Sequence, residues 1–96
     1  MAIRSFEAPD LKVFFETGKV PKNAGWQGIK KIVARKLDML DYANQLQDLK
    51  SPPGNQLEAL KDDLKGLHSI RVNDQWRVVF LWTDQGPAQV RIMDYH

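Results

Sequence analysis

Residues 67–95 read LHSIRVNDQWRVVFLWTDQGPAQVRIMDY. Three stretches in it favour β-structure: Leu67–Val72, Gln75–Trp82 and Ala88–Tyr95. The second is rich in Val, Phe and Trp, which suit a pleated, half-buried surface. In the third, Ala88, Val90 and Ile92 alternate with Gln89, Arg91 and Met93, the period-two pattern of a strand with one face buried. Asn73-Asp74 and Asp84-Gln85-Gly86-Pro87 separate the three as turns. Connections this short make neighbouring strands antiparallel. Trp76, Phe80 and Trp82 fall on one face of the middle strand, which makes them the sheet side of a core.

The chain before this stretch follows a different period. Ser51-Pro52-Pro53-Gly54-Asn55 cannot continue a helix and reads as a loop. After it, Leu57 and Leu60 suggest a short strand, and Lys61 to Gly66 is turn-like. Before it, Trp26, Ile29, Val33, Leu37 and Leu40 recur at helical spacing, predicting a helix from about Ala24 to Tyr42. Leu46 and Leu49 suit a short extra turn. Pro9 is placed as the first residue of a shorter helix, with Leu11, Phe14 and Phe15 on one side and Gly18 closing it. Phe14, Phe15, Trp26 and Leu37 would form the helical half of the core. Ile3 to Phe6 alternates and suits a strand. The expected architecture is α+β, with two N-terminal helices packed on one face of a three- to four-stranded, mainly antiparallel sheet, in a single domain over residues 1–96.

Composition narrows the chemistry. Ninety-six residues suit one ordinary domain, and 43% hydrophobic with 27% charged residues argues for an ordered core. With no cysteine, disulfides, thiolate metal sites and cysteine nucleophiles are excluded. His68 and His96 are too few for a usual structural zinc site. No phosphate-binding glycine loop is present. The longest apolar run, Val78 to Trp82, is far short of the ~20 residues of a membrane helix. The N-terminus lacks the apolar segment of a secretion signal. A cytoplasmic location without a membrane partner is therefore expected. The net charge of +2 is unevenly spread: residues 1–50 hold nine Lys or Arg against six acids, and residues 51–96 hold five against six. The excess lies in Lys30, Lys31, Arg35 and Lys36, a basic helix face that fits either RNA phosphates or plain solvation.

Several motifs, in order, resemble a known family. They are Leu11-Lys12-Val13-Phe14-Phe15-Glu16-Thr17-Gly18, then Pro52-Pro53-Gly54-Asn55 followed by Leu57-Glu58-Ala59-Leu60-Lys61. Ser69-Ile70-Arg71-Val72-Asn73-Asp74-Gln75-Trp76-Arg77 and the terminal Asp94-Tyr95-His96 complete the set. Over essentially the whole chain the sequence resembles the HigB group of RelE-like toxins of bacterial type II toxin–antitoxin systems. The resemblance implies the helix–helix–sheet fold and ribosome-dependent, metal-independent cleavage of mRNA in the A site, inhibiting translation. It implies no cofactor. The implied partners are the ribosome with its mRNA and a HigA-like helix-turn-helix antitoxin that carries operator DNA.

Such cleavage needs a base for the ribose 2′-proton, an acid for the leaving 5′-oxygen, and cations to stabilise the transition-state charge. Lys61, Arg71 and Arg77 are the candidate cations, the arginines offering a fork matched to phosphate oxygens. His96 is the candidate proton-transfer group, Tyr95 a candidate stacker or proton donor, and Asp94 a candidate orienter of His96 or a nearby arginine. Glu58 stands where some relatives carry histidine, and it is a candidate base or ribose contact. Base and acid remain exchangeable among Glu58, Tyr95 and His96. A shared cation site sets a geometric condition. A two-residue turn at Asn73-Asp74 would pair Arg71 with Trp76, whereas a three-residue loop from Asn73 to Gln75 pairs Arg71 with Arg77 on one face.

Three departures bear on activity. Glu58 replaces the histidine. Asp62 follows Lys61 where relatives usually have glycine, and its carboxylate is placed to pair with the lysine. Leu67-His68 stands where relatives often have aromatics, and strand parity with Ile70 and Val72 makes His68 a packing residue. Two alternatives stay open at this stage: a toxin of the same fold that binds DNA gyrase, and an inactive RNA-binding or regulatory module. The gyrase-binding branch generally lacks this cationic and terminal set.

Overall fold

In the computed structural model, which describes residues 1–94, the elements run α1 (Pro9–Thr17), α2 (Lys30–Tyr42), β1 (Glu58–Ala59), β2 (His68–Arg71), β3 (Trp76–Thr83) and β4 (Gly86–Asp94). Short 3₁₀ turns lie at Gln27–Ile29, Leu46–Lys50, Pro53–Asn55 and Asp62–Leu64. The strands form one sheet in the order β1-β2-β3-β4, each pair antiparallel. Tyr95, expected to end the last strand, lies outside the described residues, as does His96.

Helix α1 starts on Pro9, whose missing N–H costs nothing in a first turn. It ends at Gly18, which takes φ +82° and donates its N–H to the Phe14 carbonyl at 2.8 Å. Helix α2 starts later than the apolar spacing from Ala24 suggests. Gly25 and Gly28 favour helix poorly, and Gly25 lies against β3. A Cβ there would come within 2.8 Å of the Trp76 ring. The strand expected between Leu57 and Leu60 is only Glu58–Ala59, and β4 begins at Gly86 rather than Ala88. Ile3 to Phe6 is not a strand, because only Phe6 bridges, in parallel, to Val90. The Arg4 N–H still donates to the Pro87 carbonyl at 2.7 Å, and Val90 N–H donates to Ser5 O at 3.1 Å, so this segment covers the outer edge of β4.

Alternation gives the sheet two unlike faces. Ile70, Val72, Val78, Phe80 and Val90 close against Leu11, Phe14, Trp26, Val33, Leu37 and Leu40 in one apolar cluster. The Phe14 and Trp26 rings meet edge-on with centroids 4.8 Å apart. Trp76, Trp82 and Phe15 pack at the cluster's margin and are only partly buried. The other face carries Ser69, Arg71, Arg77 and Val79, the residues of opposite parity.

Candidate functional site

The β2–β3 turn decides what shares that second face. Asn73 Oδ1 accepts from the Gln75 N–H at 2.9 Å and the Trp76 N–H at 2.8 Å, while Val72 N–H donates to the Trp76 carbonyl at 2.9 Å. Asn73 and Asp74 both keep negative φ, so the tight two-residue turn that needs positive φ does not form. The loop is therefore Asn73 to Gln75, and Arg71 pairs directly with Arg77. This is the geometry that a shared cation site requires.

Arg77 is 7% exposed. Its Nη1 donates to Ser69 Oγ at 2.8 Å and to the Gln56 carbonyl at 3.1 Å, and its Nη2 donates to Gln56 Oε1 at 3.3 Å. Glu58 Oε1 lies 3.8 Å from Nη1, on a side chain 43% exposed. Such a long, water-facing pair is screened and adds less than about 1 kcal/mol. Among the described residues, these hydrogen bonds hold the guanidinium more firmly than the contact with Glu58 does. Arg71 is more open and pairs with Asp74 in the turn.

Lys61 is exposed two residues after β1 and, among the described residues, makes no ion pair. The expected Asp62–Lys61 pairing is absent. Asp62 instead takes φ +57° at the start of the turn. Glu58 and Lys61 line a depression of about 380 Å³ with Ala59, Leu60, Asp62 and Leu64. Asp94 is opposite Trp76, so its register places it on the helix-side face and not beside Arg77. Its Oδ2 accepts from Gln75 Nε2 at 3.1 Å. Tyr95 and His96, both candidate site residues, lie outside the described residues. His68 stacks on Phe80 with centroids 6.3 Å apart, on the face its parity requires.

Of the four basic residues on α2, Lys30, Lys31 and Arg35 are exposed, but Lys36 is buried. It shares its helix face with Val33, Leu37 and Leu40, so its stem enters the core and it does not belong to the solvent-facing stripe. Lys36 Nζ donates to Asn55 Oδ1 at 2.6 Å. Burial, with Arg35 and Arg71 adding repulsion, lowers its pKa from the ordinary lysine value. Asn55 is itself fully buried, and its amide donates to the Leu49 carbonyl at 3.1 Å and the Ser51 carbonyl at 3.3 Å.

Sequence reasoning missed Ser69, Gln56 and Asn55 as parts of this arrangement. Parity with Arg71 was a usable signal for Ser69. Asn55 stands in the motif Pro52-Pro53-Gly54-Asn55, but its role and that of Gln56 had no signal, because they come from the path of a loop. Among the described residues no group of three or more His, Cys, Asp or Glu is placed to hold a metal ion. No described helix is long and apolar enough to cross a membrane.

Residues 4–96 match the HigB-like toxin family, the RelE-like toxins of the type II toxin–antitoxin system HigB. The chain belongs to this family. Toxin HigB-1 of Vibrio cholerae is 47% identical, over 90% of this chain and 88% of its own length. Endoribonuclease HigB of Proteus vulgaris is 32% identical, over 98% of this chain and 99% of its own length. Among solved structures, the YoeB/ParE toxin from Agrobacterium tumefaciens aligns over 100% of both chains with a TM-score of 0.55 and 19% identity. A chain of the YoeB-YefM complex from Staphylococcus aureus gives the same TM-score and identity over 100% of this chain and 99% of its own. These two likenesses concern the fold. The HigB-like sheet carries its paired arginines, Arg71 half-buried and Arg77 nearly buried, on the face opposite the apolar cluster.

Proposed function

We propose that this HigB-like toxin is an endoribonuclease that cuts mRNA in the ribosomal A site, without a metal ion, and so stops translation. The observation that carries the reading is Arg77. It is a nearly buried arginine, held by hydrogen bonds on the face away from the core and paired strand to strand with Arg71. Two guanidinium groups paired on one face offer forks matched to phosphate oxygens. The relative from Proteus vulgaris, named an endoribonuclease, supports the same chemistry.

In this mechanism Arg77 and Arg71 stabilise the charge that develops on the phosphate, and Lys61 adds a third cation at the site's edge. Glu58, beside Arg77, is placed for proton transfer or a ribose contact. Tyr95 and His96 supply the remaining proton-transfer groups, with acid and base exchangeable among the three. Asp94 orients His96. The ribosome holds the mRNA in a reactive pose, so free RNA is a poor substrate.

Lys30, Lys31 and Arg35 give the contact with ribosomal RNA. Helix stability does not explain the two lysines, since they stand in the first turn of α2, where the helix dipole disfavours cations. A helix-turn-helix antitoxin with bound operator DNA neutralises the toxin in the cytoplasm. A complex of the fold relative YoeB with YefM supports an antitoxin partner.

Primer extension on an mRNA held in programmed 70S ribosomes tests the proposal. New ends inside A-site codons are expected with protein and ribosomes together, and none without ribosomes. Arg77→Ala should abolish them while the circular dichroism spectrum stays that of a folded chain. Folded wild-type protein that leaves the mRNA intact would refute the reading and direct attention to gyrase, through a supercoiling assay.

A further inference from the structure

Gln56 occupies an unusual position. It is a non-glycine residue at φ +45°, in the left-handed region that costs side-chain-bearing residues energy. Residues held this way persist only where their surroundings over-determine them, and they cluster at functional sites. The surroundings are visible here. Gln56 N–H donates to the Pro53 carbonyl at 3.1 Å. Its neighbour Asn55 is locked by the Leu49 and Ser51 carbonyls and by Lys36 of α2. The result of this backbone twist is that both the carbonyl and the side-chain amide oxygen of Gln56 accept from the same guanidinium, that of Arg77.

We propose that Gln56 is a positioning residue, whose two oxygens, with Ser69 Oγ, hold the Arg77 guanidinium in one orientation before a phosphate arrives. The proposal rests on the nuclease reading for its consequence in catalysis, but not for the clamp itself. Three acceptors spread over both terminal nitrogens orient Arg77. Fixed donors need no reorganisation when charge develops, which is the advantage such an arrangement gives a phosphate site. The Lys36–Asn55 contact makes α2 the anchor of this clamp, linking the helix core to the opposite sheet face.

Gln56→Gly is the discriminating variant. Glycine adopts positive φ without strain, which offsets part of the cost of losing the amide oxygen and its hydrogen bond, so the chain stays folded. Two readouts are needed. Nitrogen-15 NMR of the Arg77 side chain reports rotation of the guanidinium, and single-turnover cleavage on programmed ribosomes reports its consequence. We expect the rotation to speed up about tenfold, matching the loss of one hydrogen bond to a charged group. The cleavage rate should fall by about the same factor at saturating protein, at a temperature where circular dichroism shows the variant fully folded. Gln56→Glu, which keeps an acceptor, should restore slow rotation. Wild-type rotation and rate in Gln56→Gly would overturn the proposal, and so would a lowered rate with wild-type rotation. If the wild-type protein cuts nothing, the nuclease reading fails, and the rotation rates alone decide whether the clamp exists.

Discussion

Asp62 combines two readings of one position. By resemblance this is where glycine usually follows the lysine, and the structure gives a physical reason: φ is +57°. Aspartate tolerates the left-handed region better than most residues, because its short polar side chain bonds locally. We therefore expect Asp62→Gly to leave stability within about 0.5 kcal/mol, relief of strain being offset by glycine's greater freedom when unfolded. Asp62→Val, with a branched Cβ, should cost about 1–2 kcal/mol. Urea melts of the two variants check this, and equal stability would show that the turn does not impose its φ. Because Asp62 does not pair with Lys61, Asp62→Asn should leave cleavage on ribosomes within about twofold of wild type. A large gain would mean that the carboxylate does weaken the lysine.

Helix α2 serves the core, the clamp and the solvent stripe at once, and its charges separate these duties. Lys30 and Lys31 stand at its positive end with no acid in the first turn. Replacing both with glutamate should stabilise the protein by about 0.5–1 kcal/mol through the helix dipole. The same change should weaken ribosome binding, so stability and binding would move in opposite directions. If both fell together, the lysines would be structural. Lys36 lies on the inner face of the same helix. Its pKa is lowered from the ordinary 10.5, first by burial and then by Arg35 and Arg71. Between the folded and unfolded pKa values the unfolded chain holds more protons, so stability rises with pH there. Below that interval the folded chain carries the full cost of the buried ammonium. Relative to Lys36→Met, the wild type should gain stability as pH is raised toward 10.5. A difference that stays flat across alkaline pH would show that Lys36 is not desolvated.

Across the whole molecule, the sheet divides two tasks: one face packs on the helices and the other holds the arginines. On the proposed reading, association with the ribosome depends on charges spread over α2 and the arginine face. Each neutralised phosphate releases counterions, so affinity falls steeply with salt. Removing Lys30, Lys31 and Arg35 together should reduce the slope of log affinity against log salt by about 2. An unchanged slope would place the ribosome contact elsewhere. The strand alternation, the turn residues and the helical stripes were all readable from the chain, because periodicity and punctuation are local properties. They were enough to predict the α+β architecture and the parity of His68 and Trp76. Pairing across the β2–β3 turn was readable only as a choice between two loops. The Asn73 side chain made that choice by capping two N–H groups. The inward course of Lys36, the start of α2 at Lys30 and the hold of Gln56 on Arg77 required the tertiary structure. Each depends on which surface a residue meets, and that is decided by packing between segments far apart in the chain.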